Sequence, residues 1–171
     1  MPTQPAAAAR VRRVRILLGL FVVGLVLSGL TAFALETELR LVASLVGIDP
    51  ARPDPDASTL ERWLARVTRG VVETNERHPF IAYGTDWLAF AHLVIALAFI
   101  GPLRRPADHV WVVTWGMLAC VAVIPLALIA GEVRQIPWWW RLIDCSFGAI
   151  GIVPLWLARR EMVKLGTGAT A

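Results

Sequence analysis

Between Ile16 and Leu35 the chain runs for twenty residues without a single charge. At 1.5 Å per residue, a helix of that length reaches ~30 Å, the thickness of bilayer hydrocarbon. Three further blocks follow. Trp87–Leu103, extended backwards by Ile81, Ala82 and Tyr83, gives a second span over residues 81–103. Val110–Ala130 gives a third, over 110–130, interrupted by Pro125, which a membrane helix tolerates as a kink. Leu142–Leu157 carries one charge, Asp144, and Trp139 and Trp140 lengthen it to a fourth span over 139–157. With Trp138 they sit where an interfacial aromatic belt belongs.

Composition points the same way. Hydrophobic residues make up 57% and charged residues 18%, with a mean hydropathy of +0.61. Soluble domains average ~45–50% and ~25%. A disordered chain, a coiled coil and a disulfide scaffold are excluded; Cys120 and Cys145 are isolated in apolar stretches and read as small hydrophobes. The expected fold class is an all-α integral membrane protein. A four-helix transmembrane bundle forms a single domain over 16–158, between a basic tail of residues 1–15 and a tail of residues 159–171.

The cations set the expected orientation. Of 17 Lys and Arg residues only Lys164 is lysine, and the arginines gather at block edges: Arg10, Arg12, Arg13 and Arg15; Arg104 and Arg105; Arg159 and Arg160. Charge spread in this way flanks membrane spans and does not make a nucleic-acid surface. Four spans put the N-terminus, the Gly101–His109 turn and the C-terminal tail on one side, and the positive-inside rule makes that side the cytoplasm. Glu36–Gly84 and Gly131–Arg141 then lie outside. A competing reading takes the Arg-rich start and Ala32-Phe33-Ala34 as a cleaved signal peptide, but the apolar run exceeds the ~7–15 residues of such a segment.

The long outer segment predicts its own helix over 58–76. Pro50, Pro53 and Pro55 break the chain, and Ser58-Thr59-Leu60-Glu61 is a capping box. Leu60, Leu64, Val67 and Val71 then recur at helical spacing, with Glu61, Arg62, Arg66, Arg69 and Glu73 on the other faces. Asn75 and Pro79 end it. Such an amphipathic helix lies on the outer leaflet or caps the spans.

Polar residues inside apolar helices are the candidate site, because an ionisable group at membrane depth needs a partner or a role. On the second span Ala82, Thr85, Ala89, His92 and Ala96 share one face of small residues with a single imidazole. Asp144, Gly148, Gly151 and Leu155 share a face on the fourth, and Gly29, Ala32, Glu36 and Arg40 on the first. Small faces are where membrane helices approach closely. Glu36, Tyr83, Thr85, Asp86, Arg141 and Asp144 lie at outer ends of spans, with His92 ~9 Å deeper than Asp86. The expectation is an outward-opening polar cleft with these seven residues as ligand-binding candidates and His92 and Asp86 as catalytic candidates. Plain roles compete: Glu36 with Arg40 is an i,i+4 pair, Asp144 has Arg141 or Arg134 to pair with, and His92 has neighbouring helices to bond.

No cofactor is expected. A bis-histidine haem needs two imidazoles at matched depth, and His92 is alone inside while His109 belongs to the opposite end. H-E-x-x-H and G-x-S-x-G motifs are missing. Glu36, Asp86, His92 and Asp144 have the ligand types of a mixed metal site but no fixed spacing, so no metal is assigned.

The run Tyr83 to His92, YGTDWLAFAH, followed by Trp140 to Cys145, WRLIDC, resembles small bacterial four-span membrane proteins and implies a bacterial inner membrane. The layout of four spans, a long first outer loop and inward acidic groups resembles the sterol-isomerase and sigma-2-receptor superfamily in topology, and no residue role is carried over. The expected function is a small accessory or binding protein for a lipid or other amphiphile, with membrane lipids and a membrane protein as partners. The rival is a membrane-embedded isomerase-like enzyme using His92 or Asp86 as acid and base. A third reading is a structural subunit of a membrane complex.

Overall fold

Helices form on the four apolar blocks and run further than apolarity alone requires. The computed structural model describes residues 4–52 and 56–167, and all regular structure among them is helical. Pro53 and Pro55 lie outside the described residues. The elements are α1 (Gln4–Phe33), α2 (Leu35–Leu45), α3 (Thr59–Arg77), α4 (Tyr83–Ala98), α5 (Ile100–Arg104), α6 (Val110–Val133) and α7 (Trp138–Thr167), with 3₁₀ turns at Pro79–Ile81 and Pro106–His109. Four stretches, Ala7–Phe33, Pro79–Arg104, Pro106–Val133 and Trp138–Thr167, are long and apolar enough to cross a membrane.

The basic N-terminal segment is helical from Gln4 onwards, because alanine and arginine are strong helix formers and nothing breaks the run from Ala6 to Arg15. Likewise α7 continues ten residues past Leu157, aided by the Glu161–Lys164 pair at 3.2 Å. Two expected spans are interrupted. Ala34 separates α1 from α2, with its amide bonded to the Thr31 carbonyl only three residues back. The second span breaks after Ala98, four residues before Pro102, where the proline ring excludes a helical carbonyl. Pro125 and Pro154 sit inside α6 and α7 without ending them.

The described residues form two compact units, residues 4–24 with 95–167, and the described residues between 25 and 94. In the first, α6 and α7 make an antiparallel hairpin. Its turn places Gln135 in the left-handed region (φ 57°), and the Ile136 amide bonds back to the Gly131 carbonyl at 2.8 Å, a Schellman closure. The helices meet at small residues: a methyl group on Gly148 would strike the Cys120 carbonyl, and one on Gly151 would stand 3.2 Å from the Cys120 sulfur. Val14 and Leu18 of α1, Phe99, Val113 of α6, and Leu155, Ala158 and Met162 of α7 are fully buried. Phe21 and Phe99 pack with their rings tilted by 52° and their centroids 5.0 Å apart. At one end of this unit Arg10 pairs with Glu161 at 3.1 Å and Arg15 Nε donates to the Leu103 carbonyl at 3.0 Å. The three basic segments therefore meet.

In the second unit α2 and α3 pack together, burying Ala43, Ala65 and Thr68. The capping box forms as expected: the Glu61 amide donates to Ser58 Oγ at 3.3 Å, and the Ser58 amide donates to the Glu61 carboxylate at 2.6 Å. The small face of α4 meets that of α1. Ala89 is fully buried, and a methyl group on Gly29 would lie 2.9 Å from the Ala89 carbonyl oxygen.

These contacts predict a contrast between two glycines. Gly148→Ala should lower the thermal stability of the detergent-solubilised protein by about 1–3 kcal/mol, because α6 and α7 must separate. Gly24→Ala, where nothing lies within 4 Å, should leave stability unchanged or raise it by up to about 1 kcal/mol through helix propensity. Circular-dichroism melting of the two variants checks both.

Candidate functional site

A carboxylate just beyond a long apolar helix must find donors, and Glu36 finds two. It lies in the first turn of α2, where Arg40 Nε donates to one of its oxygens at 2.8 Å. Asn75 Nδ2, from the last turn of α3, donates to the other at 2.6 Å. The i,i+4 pair was legible in the sequence. Asn75 was read only as a helix terminator. It is also the next step of the stripe Leu64, Val67, Val71, so a polar residue extends an apolar face. That was the signal for an inward partner. Asn75 first, and Arg40 second, hold the Glu36 carboxyl below its usual 4.5, against a smaller opposing push from burial.

Among the remaining candidates of this unit, Tyr83 is 62% exposed and leads an edge-to-face aromatic ladder along α4. Its ring centroid is 6.0 Å from that of Trp87, which is 6.1 Å from that of Phe90. Thr85 is half-buried and Asp86 exposed. Asp86 sits in the first turn of α4, a place that suits a negative charge near unsatisfied amides. No hydrogen bond or ion pair of its side chain is formed among the described residues.

His92 is half-buried on the face that meets α1, with its Cβ 3.2 Å from where a Gly29 methyl would stand. Its bond goes not to a neighbouring helix but to its own: Nδ1 lies 2.8 Å from the Leu88 carbonyl oxygen. A carbonyl only accepts, so Nδ1 is the donor in this contact and Nε2 is the ring nitrogen left over.

Arg141 and Asp144 belong to the other unit, and the expected pair between them is not made. Arg141 Nε donates to the Ile136 carbonyl at 2.7 Å, and its Nη1 pairs with Glu132. The reason is local. Gly131 leaves room for the arginine stem, whose Cγ and Cδ come within 2.8 Å of where a methyl would be, and this aims the guanidinium back across the turn. Asp144 is half-buried on the same helix face as Gly148, with no ion pair among the described residues. The seven candidates thus divide five and two between the units.

Among the described residues no three His, Cys, Asp or Glu side chains are grouped so as to hold a metal ion. Sequence reasoning also missed a cavity of about 380 Å³ at the α2–α3 turn, lined by Asp49, Arg52, Asp56, Glu61 and Arg62 among others. Its charged residues belong to the loop and to the first turn of α3, not to an apolar face, so periodicity carried no signal for it. No known protein family, curated protein or solved structure matches the chain.

The Glu36 contacts predict an acid step. With the folded carboxyl held below 4.5, the unfolded state takes up the proton first. The stabilisation is complete above the ordinary value and lost as pH falls through the folded one. Glu61, lowered by its hydrogen bonds to Ser58, acts in the same direction. The hydrogen-exchange protection of α2 and α3, measured against the intrinsic rate at each pH, should therefore fall below pH 4.5. Glu36→Gln should remove most of that pH dependence around Asn75, while Glu61→Gln removes it at the start of α3.

Proposed function

We propose that this chain is an integral protein of a bacterial inner membrane, crossing it four times. Both termini are cytoplasmic, and the α2–α3 pair lies at the outer face. The observation that carries the reading is the burial of the spans: no more than 22% of any apolar window is covered by the protein itself. Side chains such as Ile129, Phe147 and Ile150 remain 67–69% exposed, and only an apolar solvent suits such surfaces. Tryptophans support the depth. Trp138 and Trp156 are both exposed on α7 and stand ~27 Å apart at 1.5 Å per residue, close to the hydrocarbon thickness. The meeting of the three basic segments supports one cytoplasmic end.

Within that frame the chain is a small binding or accessory protein for a lipid or other amphiphile. The aromatic ladder supports it: Tyr83, Trp87 and Phe90 offer an exposed apolar track along α4, headed by a phenol and the exposed Asp86 carboxylate. An amphiphile would lay its tail on the rings and its polar head at Tyr83, Thr85 and Asp86. A second reading, acid–base catalysis as in an isomerase, is favoured by the free Nε2 of His92, a lone pair at membrane depth with its tautomer fixed.

Topology is tested first. A cysteine replacing Asp56 should react with an impermeant reagent from outside, and one replacing Arg105 only after permeabilisation; the reverse overturns the orientation. Binding is tested by native mass spectrometry of the detergent-extracted chain. A bound amphiphile is expected, lost in Tyr83→Phe with Asp86→Asn at an unchanged melting temperature, since both side chains are exposed. His92→Gln should keep the fold and the bound molecule under the binding reading. Under the enzyme reading it should abolish turnover of that molecule, because an amide does not titrate near neutrality. A stoichiometric protein in place of the amphiphile would favour the accessory-subunit reading.

A further inference from the structure

The cytoplasmic end of the first unit carries more positive charge than its own acids neutralise. The Arg10–Glu161 pair and the Arg15–Leu103 bond bring residues 10–15, 103–105 and 159–164 together. Nine cations stand in these stretches, against Glu161 and, in the adjoining turn, Asp108. Glu161 is already shared by Arg10 at 3.1 Å and Lys164 at 3.2 Å. Arg12, Arg104 and Arg105 are exposed and form no ion pair among the described residues.

Two arginines are held in a particular way. Arg15 spends Nε on the Leu103 carbonyl, and Arg159 spends Nε on the Thr114 hydroxyl at 2.9 Å. Each guanidinium plane is thereby fixed while its two terminal nitrogens make no bond among the described residues. A fixed fork with unspent donors matches two oxygens of a phosphate, and fixing it beforehand lowers the entropy lost on binding. Arg160 adds a depth marker. Its guanidinium lies 4.7 Å from the centre of the Trp156 ring, and Trp156 is 46% exposed at the end of the apolar part of α7. Indoles in that position sit at headgroup level.

We propose that this basic end is a binding site for the phosphate diesters of anionic phospholipids in the cytoplasmic leaflet. The proposal rests on the membrane reading above. Its direct continuity with the apolar spans through Trp156 and Arg160 favours a lipid headgroup over any soluble polyanion. Each cation near an anionic surface adds to the attraction, and salt weakens it.

The test reconstitutes the full chain in vesicles of equal parts phosphatidylcholine and phosphatidylglycerol, then releases it for native mass spectrometry. Retained lipid should be enriched in phosphatidylglycerol by about ten-fold, falling at high salt. Arg12→Gln with Arg104→Gln should reduce the enrichment at unchanged folding, because neither side chain bonds among the described residues. Adding Arg15→Gln and Arg159→Gln should abolish it. Equal retention of the two lipids by the unaltered chain overturns the proposal, as does enrichment that survives all four changes in a chain still folded by circular dichroism. Inorganic phosphate, added to the chain in phosphatidylcholine vesicles, should raise the melting temperature far less than phosphatidylglycerol does. An equal rise would overturn the lipid as the source of the phosphate. Recovery of the chain from vesicles after an alkaline wash separates the two readings: loss into the wash defeats the membrane reading, whereas retention without lipid preference defeats this proposal alone.

Discussion

Close backbone approach at small residues is the contact on which the rest of the structure depends. On the proposed membrane reading, helices that leave Leu, Ile, Val and Phe on their outer sides gain nothing by covering them, since lipid tails are equally apolar. What remains is dispersion between surfaces that fit, and this needs positions where one helix admits another. Gly148 and Gly151 admit α6 at Cys120, and Gly29 admits α4 at Ala89. Bulky residues then fill what the glycines leave: Phe99 against Gly116, Leu155 beside it, and Phe21 across from Phe99. The polar side chains take their places as a consequence, because Asp144 shares its face with Gly148, and His92 with Ala89.

How much of this was legible in the sequence follows from the range of each interaction. The long apolar helices depend on runs of apolarity, the capping box on two residues three apart, and the Glu36–Arg40 pair on one helical turn. All three are local, and all three are present in the structure. The faces of His92 and Asp144 followed from periodicity, which places a residue on a side of a helix without naming what stands opposite. Partners were the harder part. Arg141 had Asp144 three residues on and chose Glu132 across the turn, because the empty flank of Gly131 lets its stem fold back. Asn75 reaches Glu36 across thirty-nine residues, a contact that no local pattern specifies. The break after Ala98 was readable from Pro102 by the steric rule for helix interiors, although the uninterrupted hydropathy of that block conceals it.

The two ends of the first unit handle charge differently. At the α6–α7 turn, Arg141 is paired with one carboxylate and one carbonyl, and little of its side chain, 16%, remains exposed. At the opposite end, one glutamate serves two cations while exposed arginines make no ion pair among the described residues. Burial explains the first arrangement. A half-covered guanidinium without partners would lose its hydration and gain nothing in return. Water already serves the second, so an unpaired arginine there costs little and stays available to an anion.

The same reasoning separates committed from uncommitted groups in the candidate site. Glu36 is held by Asn75 and Arg40, and its ionised form is the one those donors stabilise, so it is poorly placed to give or take a proton near neutrality. Arg141 is closed off in the same way. Asp86, Asp144 and the Nε2 of His92 carry no bond among the described residues, and of these His92 alone has its other atom fixed. A base must present a lone pair in one direction, and an imidazole tethered through Nδ1 does so without a second residue to orient it. The Leu88 carbonyl thus supplies what a carboxylate supplies in many acid–base sites. Because that carbonyl belongs to the same helix, the orientation of the ring follows from α4 itself.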